Sequence, residues 1–133
     1  MLLKLRAGEK LYINGAVLKV DRKATLELLN DATFLLEAHV IQAAEAVTPL
    51  RQLYFVLQTQ LMDRETTAQA MRMFAEMLTA TCGAFGGGVV TDGLRGVGAL
   101  AEAGRTFEAM KTLRGLFPYE AELLKDKAQA NAA

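Results

Sequence analysis

The residues best suited to chemistry in this sequence are cations set beside an aromatic ring. They are Lys10, Tyr12 and Lys19, with Lys4 and Arg6 upstream and Arg22 and Lys23 downstream. Positive side chains neutralise phosphates and an aromatic face stacks bases, which is what single-stranded RNA binders require. The same lysines also read as solvated guards of a strand edge, with Tyr12 and Val17 as an ordinary cross-strand pair. Residue types that would suggest catalysis are isolated. His39 is the single histidine and Cys82 the single cysteine, so neither a His/Cys metal cluster nor an internal disulfide can be built. His39 reads as structural and Cys82 as a small buried hydrophobe. Gly86-Gly87-Gly88 invites a phosphate-loop reading, but Val89-Val90-Thr91 follows where a Walker-type site needs a Lys-Ser/Thr pair. No enzymatic activity and no cofactor is expected.

The element that must position the cations is a hairpin. Asn14-Gly15 joins two alternating runs, and both residues tolerate the positive φ of a type I′ turn. A two-residue turn sets Ile13 opposite Ala16, Tyr12 opposite Val17, Leu11 opposite Leu18 and Lys10 opposite Lys19. Leu11, Ile13, Ala16, Leu18 and Val20 then share one apolar face, and Lys10, Tyr12, Val17 and Lys19 share the other. Like charges across a ladder are mildly destabilising, so this second face suits an anion.

Around the hairpin, Leu2 to Arg6, Thr25 to Leu29 and Thr33 to Glu37 read as further short strands, separated by turns at Gly8, Asp21-Lys23 and Asn30-Asp31. From Pro49 the apolar period changes from two to about 3.6. Thr48-Pro49 is a helix start, and Leu50, Leu53, Tyr54, Leu57 and Leu61 follow helical spacing. Asp63 opens a second helix carrying Thr67, Met71, Phe74, Met77 and Leu78, with Arg64, Arg72 and Glu76 off the stripe. A third begins near Thr91-Asp92, with a break or close packing at Gly96, Gly98 and Gly104. A fourth runs from Thr106 to about Leu116, and Pro118 interrupts before Tyr119 to Lys127. The fold class is therefore α+β. A small N-terminal five-stranded antiparallel β module, residues 1–47, precedes a C-terminal four-helix region, residues 48–133. Met62, Met71, Met73, Met77 and Met110 enrich the helices in adaptable side chains that suit core packing first and docking of a protein partner second.

At 133 residues, 52% hydrophobic, with 15 basic and 15 acidic side chains, the chain is neither disordered nor a generally basic nucleic-acid coat. Any nucleic-acid contact must be local. No signal-peptide core or membrane-spanning run is found, and the cytoplasm is the expected compartment. A small sheet with open edges favours a homodimer.

Leu5, Gly8-Glu9-Lys10, Ile13-Asn14-Gly15-Ala16-Val17, Phe34-Leu35 with Glu37, Thr48-Pro49, Arg51 and Tyr54-Phe55 together resemble the FlbT family. Phe107 to Leu116 with Tyr119-Glu120 is similar to that family's C-terminal helix. The resemblance implies a regulator of flagellin synthesis that binds the 5′ untranslated leader of flagellin messenger RNA and represses translation or promotes decay. It also implies FlaF or flagellin as protein partners, so a protein-interaction module acting on translation indirectly is the second function expected. The first residues, Met1-Leu2-Leu3, Arg6, Gly8-Glu9, Leu11 and Ile13, more weakly resemble CsrA-type translational repressors, which would place Lys4 and Arg6 on RNA. Leu5-Arg6 replaces that family's paired arginines, and its late-strand arginine has no clear equivalent around Leu35-Leu36-Glu37. Leu36 also stands where FlbT sequences commonly carry Arg.

Overall fold

A computed structural model describes residues 1–30, 32–62 and 68–132, with side chains described through residue 127. The strands are β1 (Leu2–Leu5), β2 (Lys10–Ile13), β3 (Ala16–Lys19), β4 (Ala24–Glu27) and β5 (Phe34–Leu36). The helices are α1 (Pro49–Met62), α2 (Ala68–Phe85), α3 (Val89–Glu102) and α4 (Thr106–Ala132). The expected turn residue Asp31 and the expected start of the second helix, Asp63 with Arg64 and Thr67, lie outside the described residues.

Asn14 and Gly15 adopt φ of 48° and 83°, the left-handed pair that a type I′ turn needs. Their geometry sets the ladder, and the four cross-strand pairs are those the two-residue turn predicts: Ile13–Ala16, Tyr12–Val17, Leu11–Leu18 and Lys10–Lys19.

The five strands do not form one five-stranded sheet. They divide into an antiparallel pair, β1-β4, and a three-stranded antiparallel sheet ordered β3-β2-β5. Strands of three or four residues offer few apolar side chains, and one open sheet would leave its apolar face to water. Divided in two, the sheets cover each other. Leu3 and Leu5 of β1 meet Leu11 of β2 and Phe34 of β5, and Phe107 of α4 closes the cluster. The rings of Phe34 and Phe107 stand 5.0 Å apart, tilted by 39°.

The helices build the larger core from Leu50, Leu53, Tyr54, Leu57, Phe74, Val90, Leu94, Val97, Met110, Leu113 and Leu116. Close packing is set at two glycines. A Cβ on Gly93 would come within 2.7 Å of Leu116, and one on Gly98 within 2.9 Å of Leu78. Gly96 faces open space. Gly104, with φ of 76°, ends the third helix as expected. That helix starts earlier than expected, at Val89, directly after the glycine loop, where the Thr91 hydroxyl donates to the Gly86 carbonyl.

Pro118 does not interrupt the last helix, which runs from Thr106 to Ala132. Proline keeps a helical φ and forfeits one backbone bond. Here packing on both sides of it holds the helix together, with Leu116 in the core and Glu120 buried two residues beyond the proline, 1% exposed. The Glu120 carboxylate accepts the Leu50 N–H at 2.7 Å. It thereby satisfies an otherwise orphan donor of the first turn of α1 and places a negative charge at the positive end of that helix.

A buried hydrogen bond to a charged group contributes about 1.5–3 kcal/mol. Glu120→Ala should therefore lower unfolding free energy by about 2 kcal/mol in urea titrations, and Glu120→Gln, which keeps an acceptor, by clearly less.

Candidate nucleic-acid interface

The hairpin presents Lys10 and Lys19 side by side and exposed, as direct cross-strand neighbours. Among the described residues neither makes an ion pair. The nearby acids are engaged by the backbone instead. Glu9 Oε1 accepts the Arg6 N–H at 2.6 Å, and Glu37 Oε2 accepts the Lys10 N–H at 3.0 Å. Gly8, with φ of 83°, turns the chain here and donates its N–H to the Val20 carbonyl at 2.7 Å. Arg6 and the Arg22-Lys23 turn are thereby tethered at the open end of the hairpin, within a few residues of the lysine pair. Arg22 pairs with Asp21 at 3.5 Å, both side chains being solvated, an interaction that holds little. Lys4 lies elsewhere. It points outward from the β1-β4 sheet, opposite Thr25, and shares that face with Glu27.

Tyr12 does not stand free beside the lysines. Its neighbour across the ladder is Leu35, fully buried in the helical core, and the Tyr12 ring is half-buried against the same core. The face of β2 that carries the cations at one end is thus covered by helices at the other. Leu36 packs toward the opposite cluster, with Leu3 and Leu5.

The residues of the family motif hold elements together. Asn14 Oδ1 accepts the Thr33 N–H at 3.2 Å and the Asn14 N–H reaches the Thr33 carbonyl at 2.8 Å, tying the hairpin turn to β5. Thr48 Oγ1 accepts the Arg51 N–H at 3.2 Å as an N-cap, ahead of Pro49 at the first helical position. The Arg51 guanidinium lies 4.5 Å from the centre of the Phe117 ring, and that ring meets Tyr54 edge-on at 5.5 Å. The Tyr54 hydroxyl donates to the His39 carbonyl and accepts from Arg114 Nη1 at 3.0 Å. Phe55 is half-buried on the same helix.

Three further anchors are Gln58, which the sequence does not single out, and Arg114 and Glu120, which enter there only within the segments similar to the family's C-terminal helix. Gln58, 4% exposed, clamps Ile41 with two 2.8 Å bonds, one to its N–H and one to its carbonyl. Its signal is present in the spacing, since Gln58 lies one turn after Tyr54 on the apolar stripe of α1. Glu120 likewise continues the Leu113-Leu116 stripe, provided the helix passes Pro118.

Burial holds the His39 imidazole below its ordinary pKa of 6.5, with the Arg114 guanidinium acting in the same direction. Burial raises the Tyr54 phenol above 10.0, partly opposed by the hydrogen bond and charge of Arg114. Separately, a groove of 510 Å³ runs between α2 and α3 over Met71, Phe74, Leu78 and Gly98. Among the described residues no helix is long and apolar enough to cross a membrane.

A family model described as "Flagellar protein FlbT" matches residues 1–124. Proteins named "Probable flagellum biosynthesis repressor protein FlbT" from Brucella ovis, Brucella anthropi and Brucella abortus are each 52% identical to this chain over 122 residues. Those alignments cover 92% of this chain and 80% of each relative. No solved structure matches the chain.

A histidine whose pKa is lower in the fold than in the unfolded chain binds protons less readily when folded, so its contribution is fully present above pH 6.5 and is lost as pH falls through its folded pKa. The urea midpoint should accordingly decline on acidification below pH 6.5. In His39→Gln that part of the slope should disappear.

Proposed function

Because this chain belongs to the FlbT family, we propose that it represses flagellum biosynthesis by binding the 5′ leader of flagellin messenger RNA in the cytoplasm. Bound there, it blocks ribosome access or exposes the message to decay. The observation that supports this reading is the exposed Lys10–Lys19 couple, without an ion pair among the described residues, on a hairpin whose neighbouring acids Glu9 and Glu37 accept backbone N–H groups. Two ammonium groups side by side repel each other and gain when a phosphate chain lies across them. Arg6, Arg22 and Lys23 extend the same positive end. Lys4 faces a different direction, and Tyr12 acts on RNA only through the strand it anchors. Contact with bases then has no aromatic platform at the hairpin, and phosphate neutralisation dominates.

A second reading assigns the helices a protein partner, flagellin or FlaF, with translation altered indirectly. It draws on the α2–α3 groove, where half-exposed Met71 gives an adaptable apolar lining.

Binding of a flagellin-message leader to the purified protein, followed across a salt series, distinguishes the two. Direct binding should weaken as salt rises by about 0.7 log–log slope unit per phosphate contacted. Lys10→Ala with Lys19→Ala should weaken binding and flatten the slope by about 1.4 units. A folded wild-type protein that leaves the leader unbound at low salt overturns the direct reading.

A further inference from the structure

The three-stranded sheet ends at β3, and all four residues of that strand are exposed. Val20 directs its N–H to the Glu9 carbonyl in β2's direction. By alternation Ala16 and Leu18 also bond inward, and the N–H and C=O groups of Val17 and Lys19 point outward. Among the described residues those outward groups have no hydrogen-bond partner. The strand has no proline, no bulge and no inward charge; what guards this edge is its shortness and the charge of Lys19 at one end. It also exposes apolar surface, with Val17 at 62% and Leu18 at 46%.

We propose that β3 is the edge along which two copies of this chain pair, antiparallel, about a two-fold axis at Leu18. The register follows from hydrogen bonding and charge. With the axis at Leu18, Val17 of each copy lies opposite Lys19 of the other, and every outward group of both strands is used. An axis at Val17 carries Lys19 past the strand end into the turn. An axis at Lys19 sets two lysines directly against each other, which is unfavourable. The Leu18 register also brings the two Leu18 side chains together as a non-hydrogen-bonded pair, where side chains approach most closely. Such an interface is isologous and closes on itself as a dimer.

Pairing lays Lys10 and Lys19 of both copies on one face of a continuous sheet. Those ammonium groups repel at low ionic strength and are screened as salt rises, so the dimer tightens with added salt, opposite in sign to the RNA affinity. The inference does not rest on the RNA reading, and loss of RNA binding leaves it standing.

Sedimentation across a concentration series at low and high salt should show a monomer–dimer equilibrium that shifts to dimer at high salt. Lys19→Pro removes an outward N–H without touching the β2 ladder, and should weaken the dimer at least about tenfold while the melting transition persists. Lys19→Ala keeps that N–H and sheds a repelling charge, and should dimerise at least as tightly as wild type. In a Cys82→Ala background, Leu18→Cys should form an intermolecular disulfide on oxidation, because a non-hydrogen-bonded pair places Cα atoms about 4.5 Å apart. Leu29→Cys, exposed but off the strand, should cross-link far more slowly. A monomer under all conditions would falsify the proposal, leaving the edge to another strand or to solvent. So would a Lys19→Pro dimer as tight as wild type, or equal cross-linking at both cysteine positions.

Discussion

Burial of β2 and β5 on both faces is the constraint on which the rest of the structure depends. Leu11 and Phe34 look toward β1, while Leu35 and Tyr12 look toward the helices. A three-stranded sheet this small would be marginal in water with one face open. Covered on both sides along β2 and β5, it becomes the layer that joins the β1-β4 pair to α1 and α4. The two cores therefore share a wall, and Phe107 of α4 reaches the far one.

The polar anchors serve the same junction. Between β5 and α1 the chain runs through two short 3-10 turns, Glu37–His39 and Ala43–Glu45, with no buried side chain of their own. The backbone groups that these turns and the Gln42–Glu45 capping box leave over are satisfied from outside. Tyr54 takes the His39 carbonyl, Gln58 takes both polar groups of Ile41, and Glu120 takes the N–H of Leu50. Arg114 links this network back to α4 through the Tyr54 hydroxyl. Motif residues that could be mistaken for a binding site thus act by positioning, and they lie apart from the outer end of the hairpin, where the proposed polyanion surface is.

That division of labour explains how much of the candidate site was legible. Lys10 opposite Lys19 followed from turn chemistry and the two-residue period, both local. The orientation of Tyr12 did not follow, because a half-polar face gives no sign of whether water or a helix lies against it. Nor did the split between sheets, because β1 reaches β4 across the whole hairpin and neither strand's own pattern specifies its partner. Pro118 reads as a stop by propensity, and only the contacts of Leu116 and Glu120 keep the helix going.

Taken alone, then, the sequence determined the five strands, the rough positions of the helices, the hairpin register, the α+β class and a family resemblance that residues 1–124 substantiate. Each of these rests on interactions within a few residues, or on patterns that repeat along one segment. The tertiary structure decided which strands share a sheet, which face of β2 meets solvent, and that Thr48, Arg51 and Tyr54 hold a junction. Those outcomes depend on which distant apolar surfaces bury one another, a choice made by the whole chain at once.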